Sequence, residues 1–186
     1  MFDNTYREGA ALNDSPGEVK DSEIESDIAA RIPARMTRWP LPAPMRAALD
    51  QAALARAAGE VPVGAVIVRD GAVIAAAHNA PRALGDPTAH AEVLAIRAAA
   101  AALGQERLDG CDLWVSLEPC AMCAGAIVHA RIGRVYYAAS DPKGGAVEHG
   151  GRIFDQPTCL HRPEVYSGMG EGEAADLLRA FFRDRR

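Results

Sequence analysis

No stretch of this sequence is apolar for the ~20 residues that a membrane-spanning helix needs, which argues against a helical membrane protein. The first residues also lack the basic region followed by an apolar stretch that marks a secretory signal, so the expected compartment is the cytoplasm. Cysteine is scarce, with only Cys111, Cys120, Cys123 and Cys159. In a reducing compartment, so few thiols read as free groups or metal ligands rather than disulfides. There is no internal repeat. Positive charge is lacking too: the formal net charge is −5, so no global field draws a nucleic acid to the molecule.

The charge deficit is local. Residues 1–30 carry eight acidic and two basic side chains, and the rest of the chain is near neutral. Any nucleic-acid contact therefore needs a local basic patch. On composition, residues 1–44 are expected to form an acidic, poorly ordered extension, and residues 45–186 the folded domain.

Within that domain, Met45, Ala48, Leu49, Ala52 and Ala53 fall at helical spacing, predicting a helix over 45–58 that stops near Gly59. The unbroken apolar run Val63–Val68 predicts a strand buried on both faces. Asp70-Gly71 predicts a tight turn into a second strand over Ala72–Ala77. Beyond a loop at 79–87, the pattern predicts a helix over 89–103, a strand over 111–117, a helix over 121–130, a strand over 134–138 and a closing helix over 171–185. Strands alternating with helices imply an α/β layered sheet with parallel pairs.

Two short stretches carry the chemistry: Thr88-Ala-His-Ala-Glu92, and Glu118-Pro-Cys-Ala-Met-Cys123. Each lies where the chain runs into a helix. His90, Cys120 and Cys123 supply one imidazole and two thiols, a ligand set suited to Zn²⁺, and three protein ligands leave a fourth tetrahedral position open for catalysis. A Cys-x-x-Cys at a helix start suits thiolates, because the free N–H groups and partial positive charge there stabilise anions. Glu92, two residues from His90, is placed to move protons to and from an activated water without being a ligand. Cys111 reads as a core residue and Cys159 as incidental. His78, His129 and His149 read as surface or packing residues.

H-x-E followed by P-C-x-x-C resembles the signature of zinc nucleobase deaminases. From about Met45 onward the sequence is similar to the cytidine-deaminase superfamily, and within it to the bacterial tRNA adenosine deaminases. The matching stretches include Glu60-Val-Pro-Val-Gly-Ala65, Asp86–Glu92, Leu117–Ala126, Ala130-Arg-Ile-Gly-Arg134 and the terminal Phe181-Phe-Arg. The resemblance implies a three-layer α/β/α fold with a central five-stranded mixed sheet, one zinc per subunit and a homodimer. It implies conversion of adenosine to inosine at the wobble position of an anticodon loop, with an arginine tRNA as partner. Residue by residue, His90, Cys120 and Cys123 match the zinc ligands and Glu92 the proton shuttle. Asn79 matches the residue touching the target base, and Ala89 supplies a backbone group at the zinc-binding helix. Asp141 and Lys143 fall where the nucleotide backbone is held, His161 and Arg162 match a tRNA-contacting pair, and Glu118 lies beside the cysteines.

Phe181 and Phe182 end the chain among arginines. At 100° per residue the two rings face different directions, so one can pack while the other meets RNA. Two other readings fit parts of the pattern. A deaminase of a free base or nucleoside, of guanine or cytosine type, shares the zinc signature. A non-catalytic zinc-stabilised RNA-binding module requires a fourth protein ligand or a replaced Glu92.

Overall fold

The structure, a computed structural model, describes residues 40–185. The expected acidic extension lies almost wholly outside the described residues. Helix α1 (Ala43–Ala57) starts two residues ahead of the expected Met45, with proline in its first turn. Proline suits that position, where its missing N–H costs no intrahelical bond. Its buried face is Met45, Ala48, Leu49, Ala52 and Ala55, so the stripe continues to Ala55 and leaves the expected Ala53 exposed.

Strand β1 (Gly64–Arg69) turns at Asp70 and Gly71 into β2 (Ala72–His78). Both turn residues have positive φ, 51° and 78°, the geometry of a two-residue hairpin and a reason for glycine at 71. The expected loop at 79–87 contains a one-turn helix, α2 (Pro81–Leu84). Next come α3 (Ala91–Leu103), β3 (Cys111–Leu117), α4 (Ala121–Ala130) and β4 (Arg134–Ala139). A 3-10 turn over Ile153–Asp155 precedes β5 (Glu164–Ser167) and the closing α5 (Glu171–Arg183).

The sheet order is β2-β1-β3-β4-β5. β1 pairs antiparallel with both β2 and β3, whereas β3–β4 and β4–β5 are parallel. The apolar run over β1 is thus buried because helices cover both faces, not because its pairing is parallel. On one face, Ala91, Ala95 and Ala99 of α3 and Ala124 and Ile127 of α4 pack on Ala65, Ile67, Leu113, Val115 and Val135. On the other, Met45, Ala48 and Leu49 of α1 and Ala174 of α5 pack on Val66, Val68, Trp114 and Ala138. The result is the three-layer α/β/α arrangement around a five-stranded mixed sheet. Among the described residues, no helix is long and apolar enough to cross a membrane.

Candidate active site

The layering places the starts of α3 and α4 on the same face of the sheet, and each carries ligand chemistry. His90 occupies the position just before α3, Cys120 the position just before α4, and Cys123 lies in the first turn of α4. Neither His90 nor Cys120 uses its side chain to cap its helix, so both remain available. His90 Nδ1 lies 3.7 Å from Cys120 Sγ and 3.5 Å from Cys123 Sγ, and the three ligand atoms all fall within 4.8 Å of one another. A tetrahedral zinc with bonds of ~2.3 Å to sulfur and ~2.0 Å to nitrogen sets N and S roughly 3.5 Å apart. The donor set fits zinc in both chemistry and span.

The Cys120 thiol is pulled down to about 5 by a hydrogen bond from the Cys123 thiol, helped by backbone N–H groups of Cys123 and Met122 and by His90, against the effect of burial. Cys123 is held far up by donating that bond and by its own burial. One proton is thus shared by two sulfurs at a helix start, a pair ready to release it to a cation.

Glu92, in the first turn of α3, is 4% exposed and is not one of the converging ligands. Burial pushes its carboxyl up to about 7, opposed by its own backbone N–H. A carboxyl poised near neutrality can both take and give a proton. Glu92, His90 and Cys120 open on a cavity of about 300 Å³, whose wall also includes Val61, Val63, Asn79, Pro81, Leu117, Glu118, Asp141 and Gly144.

Other expected site residues divide by position. Asn79 reaches this cavity; its Oδ1 accepts the Ala91 N–H at 2.8 Å, which fixes the amide and leaves its nitrogen as a donor to offer a ligand. Ala89 is fully buried; its N–H donates to Asp86 O and its carbonyl accepts from Ala80, so its backbone is used within the loop. Asp141 lines the cavity while its Oδ1 accepts the N–H groups of Lys143 and Gly144, leaving Lys143 exposed beyond it. His161 Nε2 donates to Ile132 O at 2.6 Å, which fastens the ring to the fold, and Arg162 beside it is exposed. Phe181 is buried under the Arg185 guanidinium, 3.6 Å from its ring centre, whereas Phe182 is 52% exposed.

The structure adds residues that the sequence did not single out for a task. Glu60, 3% exposed, accepts the N–H groups of Arg82 and Ala83 at 2.9 Å each and so caps α2, which carries the cavity residue Pro81. His149, read as a surface or packing residue, pairs with the buried Glu118 carboxylate at 2.7 Å. The match of Glu60-Val-Pro-Val was a signal for the first; nothing local marked His149. Cys111 is buried as expected, and Cys159 donates to the His161 carbonyl.

Comparison with known proteins agrees with this geometry. The pattern of the cytidine and deoxycytidylate deaminase zinc-binding region matches residues 42–139. A tRNA-specific adenosine deaminase from Agrobacterium fabrum is 61% identical over 142 residues, covering 76% of this chain and 93% of the relative. A solved structure from work on A-to-I editing by tRNA:A34 deaminases at the wobble position superimposes with a TM-score of 0.72 at 60% identity, covering 73% of this chain and 98% of its own. A guanine deaminase from Bacillus subtilis is more distant, with a TM-score of 0.53 at 42% identity over 66% of this chain and 82% of that one. Identity to the two relatives named for tRNA deamination exceeds that to this guanine deaminase, and the chain belongs to the zinc-binding cytidine and deoxycytidylate deaminase family, among its tRNA-specific adenosine deaminases.

Proposed function

We propose that this protein hydrolyses the exocyclic amine of adenosine at the wobble position of a tRNA anticodon loop, giving inosine and ammonia. One observation carries the chemistry: Glu92 is a buried carboxyl that shares the cavity with a three-ligand zinc set yet stands outside it. The substrate is supported by the relatives' named activity and by the identity to them.

His90, Cys120 and Cys123 would hold the metal. Zinc, when bound, supplies the Lewis acidity that makes water a nucleophile near neutral pH. Glu92 takes a proton from the attacking water and delivers it to N1 of the purine; it then takes the remaining proton from the new hydroxyl on C6 and hands it to the amino group, which departs as ammonia while C6 becomes a carbonyl. Val61, Val63 and Leu117 give the cavity apolar wall for a flat ring, and the Asn79 amide nitrogen donates to a purine acceptor. A cavity of this size admits one base, so the target must leave the stack of its loop.

At the cavity, Asp141 and Lys143 hold the nucleotide backbone; Phe182 on α5, and Arg162 at the end of the sheet where β4 and β5 begin, reach RNA beyond the target base. His161 serves by orienting Arg162, and Phe181 by carrying Phe182. The further proposals are an arginine tRNA as partner, a homodimer with one zinc per subunit, and action in the cytoplasm.

A second reading, deamination of free guanine, is favoured by the likeness to the guanine deaminase. Incubation of the purified zinc enzyme with an anticodon stem-loop and, separately, with free adenosine, guanine and cytidine decides between them. Inosine is expected in the stem-loop alone; turnover of guanine with an untouched stem-loop would overturn the proposal.

A further inference from the structure

We propose that Glu118 is a positioning residue, the template on which residues 141–149 fold to complete the substrate cavity; this rests on the deaminase reading above. Its side chain is wholly buried between the end of β3 and the start of α4. Oε1 accepts the backbone N–H groups of Val147, Glu148 and His149 at 3.1, 2.9 and 3.0 Å. Oε2 accepts the Asp141 N–H at 3.0 Å and lies 2.7 Å from His149 Nδ1. Successive amides aimed at one point form an anion-binding concavity, and here the anion is the protein's own carboxylate.

The segment is bound tightly to that carboxylate. A Cβ on Gly145 would lie 2.5 Å from the Glu118 carboxyl carbon and 2.6 Å from the Asp141 carbonyl, so only glycine fits between them. Ala146 donates to Pro119 O at 2.9 Å, bridging the segment to the turn that bears Cys120. The Tyr137 hydroxyl donates to Glu148 from β4. Asp141 and Gly144, at the start of the segment, stand in the cavity wall. Glu118 borders the cavity, but both its carboxylate oxygens are engaged by the segment, so it acts on substrate through the segment it organises, without being among the metal-ligand atoms itself.

The test uses the zinc enzyme with Glu118→Gln, which keeps the shape but points an amide donor at converging N–H groups. Zinc content, kcat and KM on an anticodon stem-loop, and amide hydrogen exchange are measured. Loss of a charged acceptor for several donors predicts a KM increase of about tenfold or more with kcat within about threefold. Zinc is expected to stay at one per chain, and exchange to quicken at 145–149 but not across α4. His149→Ala removes one donor and leaves the carboxylate; it predicts a KM increase of roughly two- to fivefold and carries the test if the first variant does not fold. Loss of zinc, a fall in kcat at constant KM, or unaltered exchange at 145–149 would overturn the proposal. A wild-type enzyme inert on the stem-loop would refute the RNA reading instead, with the exchange data still deciding Glu118.

Discussion

Gly64 meets helix α1 so closely that a Cβ on it would lie 2.2 Å from the Ala48 carbonyl oxygen and 2.4 Å from Ala52 N. The neighbours are backbone atoms of a helix and cannot rotate away. Gly64→Ala must push α1 off the sheet, an overpacking cost of about 3 kcal/mol or more. For a protein of this size that lowers the melting temperature by roughly 6–12 °C. A melting curve unchanged from wild type would show that α1 does not seat on β1 at this point.

The metal prediction separates ligands from their neighbours. His90→Ala and Cys120→Ser each remove one of three ligands, and elemental analysis of the purified variants should find well under one zinc per chain. Cys159→Ser should retain the full metal, since Cys159 donates to the His161 carbonyl and lies outside the ligand set.

Glu92→Gln tests the proton shuttle. The amide fills the same buried space but cannot accept and return a proton, so kcat should fall by about 10³-fold or more while zinc stays bound. Single-turnover inosine formation is the measurement. Appreciable turnover in this variant would assign the proton transfers to another group.

The same substitution has a pH signature in the zinc-free protein. The Glu92 carboxyl is raised from 4.5 to about 7 by burial, so the folded state binds its proton more tightly than the unfolded state does. The contribution is fully present below pH 4.5 and is lost as pH rises through 7. Glu92→Gln removes that dependence. Chelated wild type and variant should melt together near pH 4, and the variant should melt higher at pH 8. Parallel curves across this window would mean that Glu92 keeps an ordinary affinity for its proton.

Which features were legible in the sequence follows from the range of the forces that make them. The candidate ligand set, whose three side chains converge, was legible because His-x-Glu and Cys-x-x-Cys are short spacings at helix starts, and the apolar run over β1 declared a buried strand. Helix α2 was not, because the carboxylate that caps it belongs to Glu60, more than twenty residues earlier. Strand β5 is four residues long, with Glu164, Tyr166 and Ser167 exposed at the sheet edge, so neither alternation nor apolarity marks it. His161 could be named from the resemblance, but its bond to the Ile132 carbonyl depends on how β4 and the following loop pack. The Glu118 cluster is wholly tertiary: five donors from 23 to 31 residues away meet one side chain.

Phe181 and Phe182 make the last prediction, because adjacent rings on α5 carry different work. Phe181 is 2% exposed, packed edge-on against Phe182 and capped by Arg185, which also donates to the Gly59 carbonyl. Truncating it opens a cavity and releases that tie, so Phe181→Ala should cost about 3–5 kcal/mol of stability. Phe182 is half exposed and stands with Leu178, Arg179 and Arg183 around a shallow surface hollow, an aromatic face among cations. A base stacked there contributes about 1–3 kcal/mol, so Phe182→Ala should raise KM for the stem-loop roughly 5- to 150-fold. Its melting temperature and zinc content should match wild type. Should Phe182→Ala instead melt early and bind RNA normally, the exposed ring is structural, and the RNA path must be sought along Lys143 and Arg162.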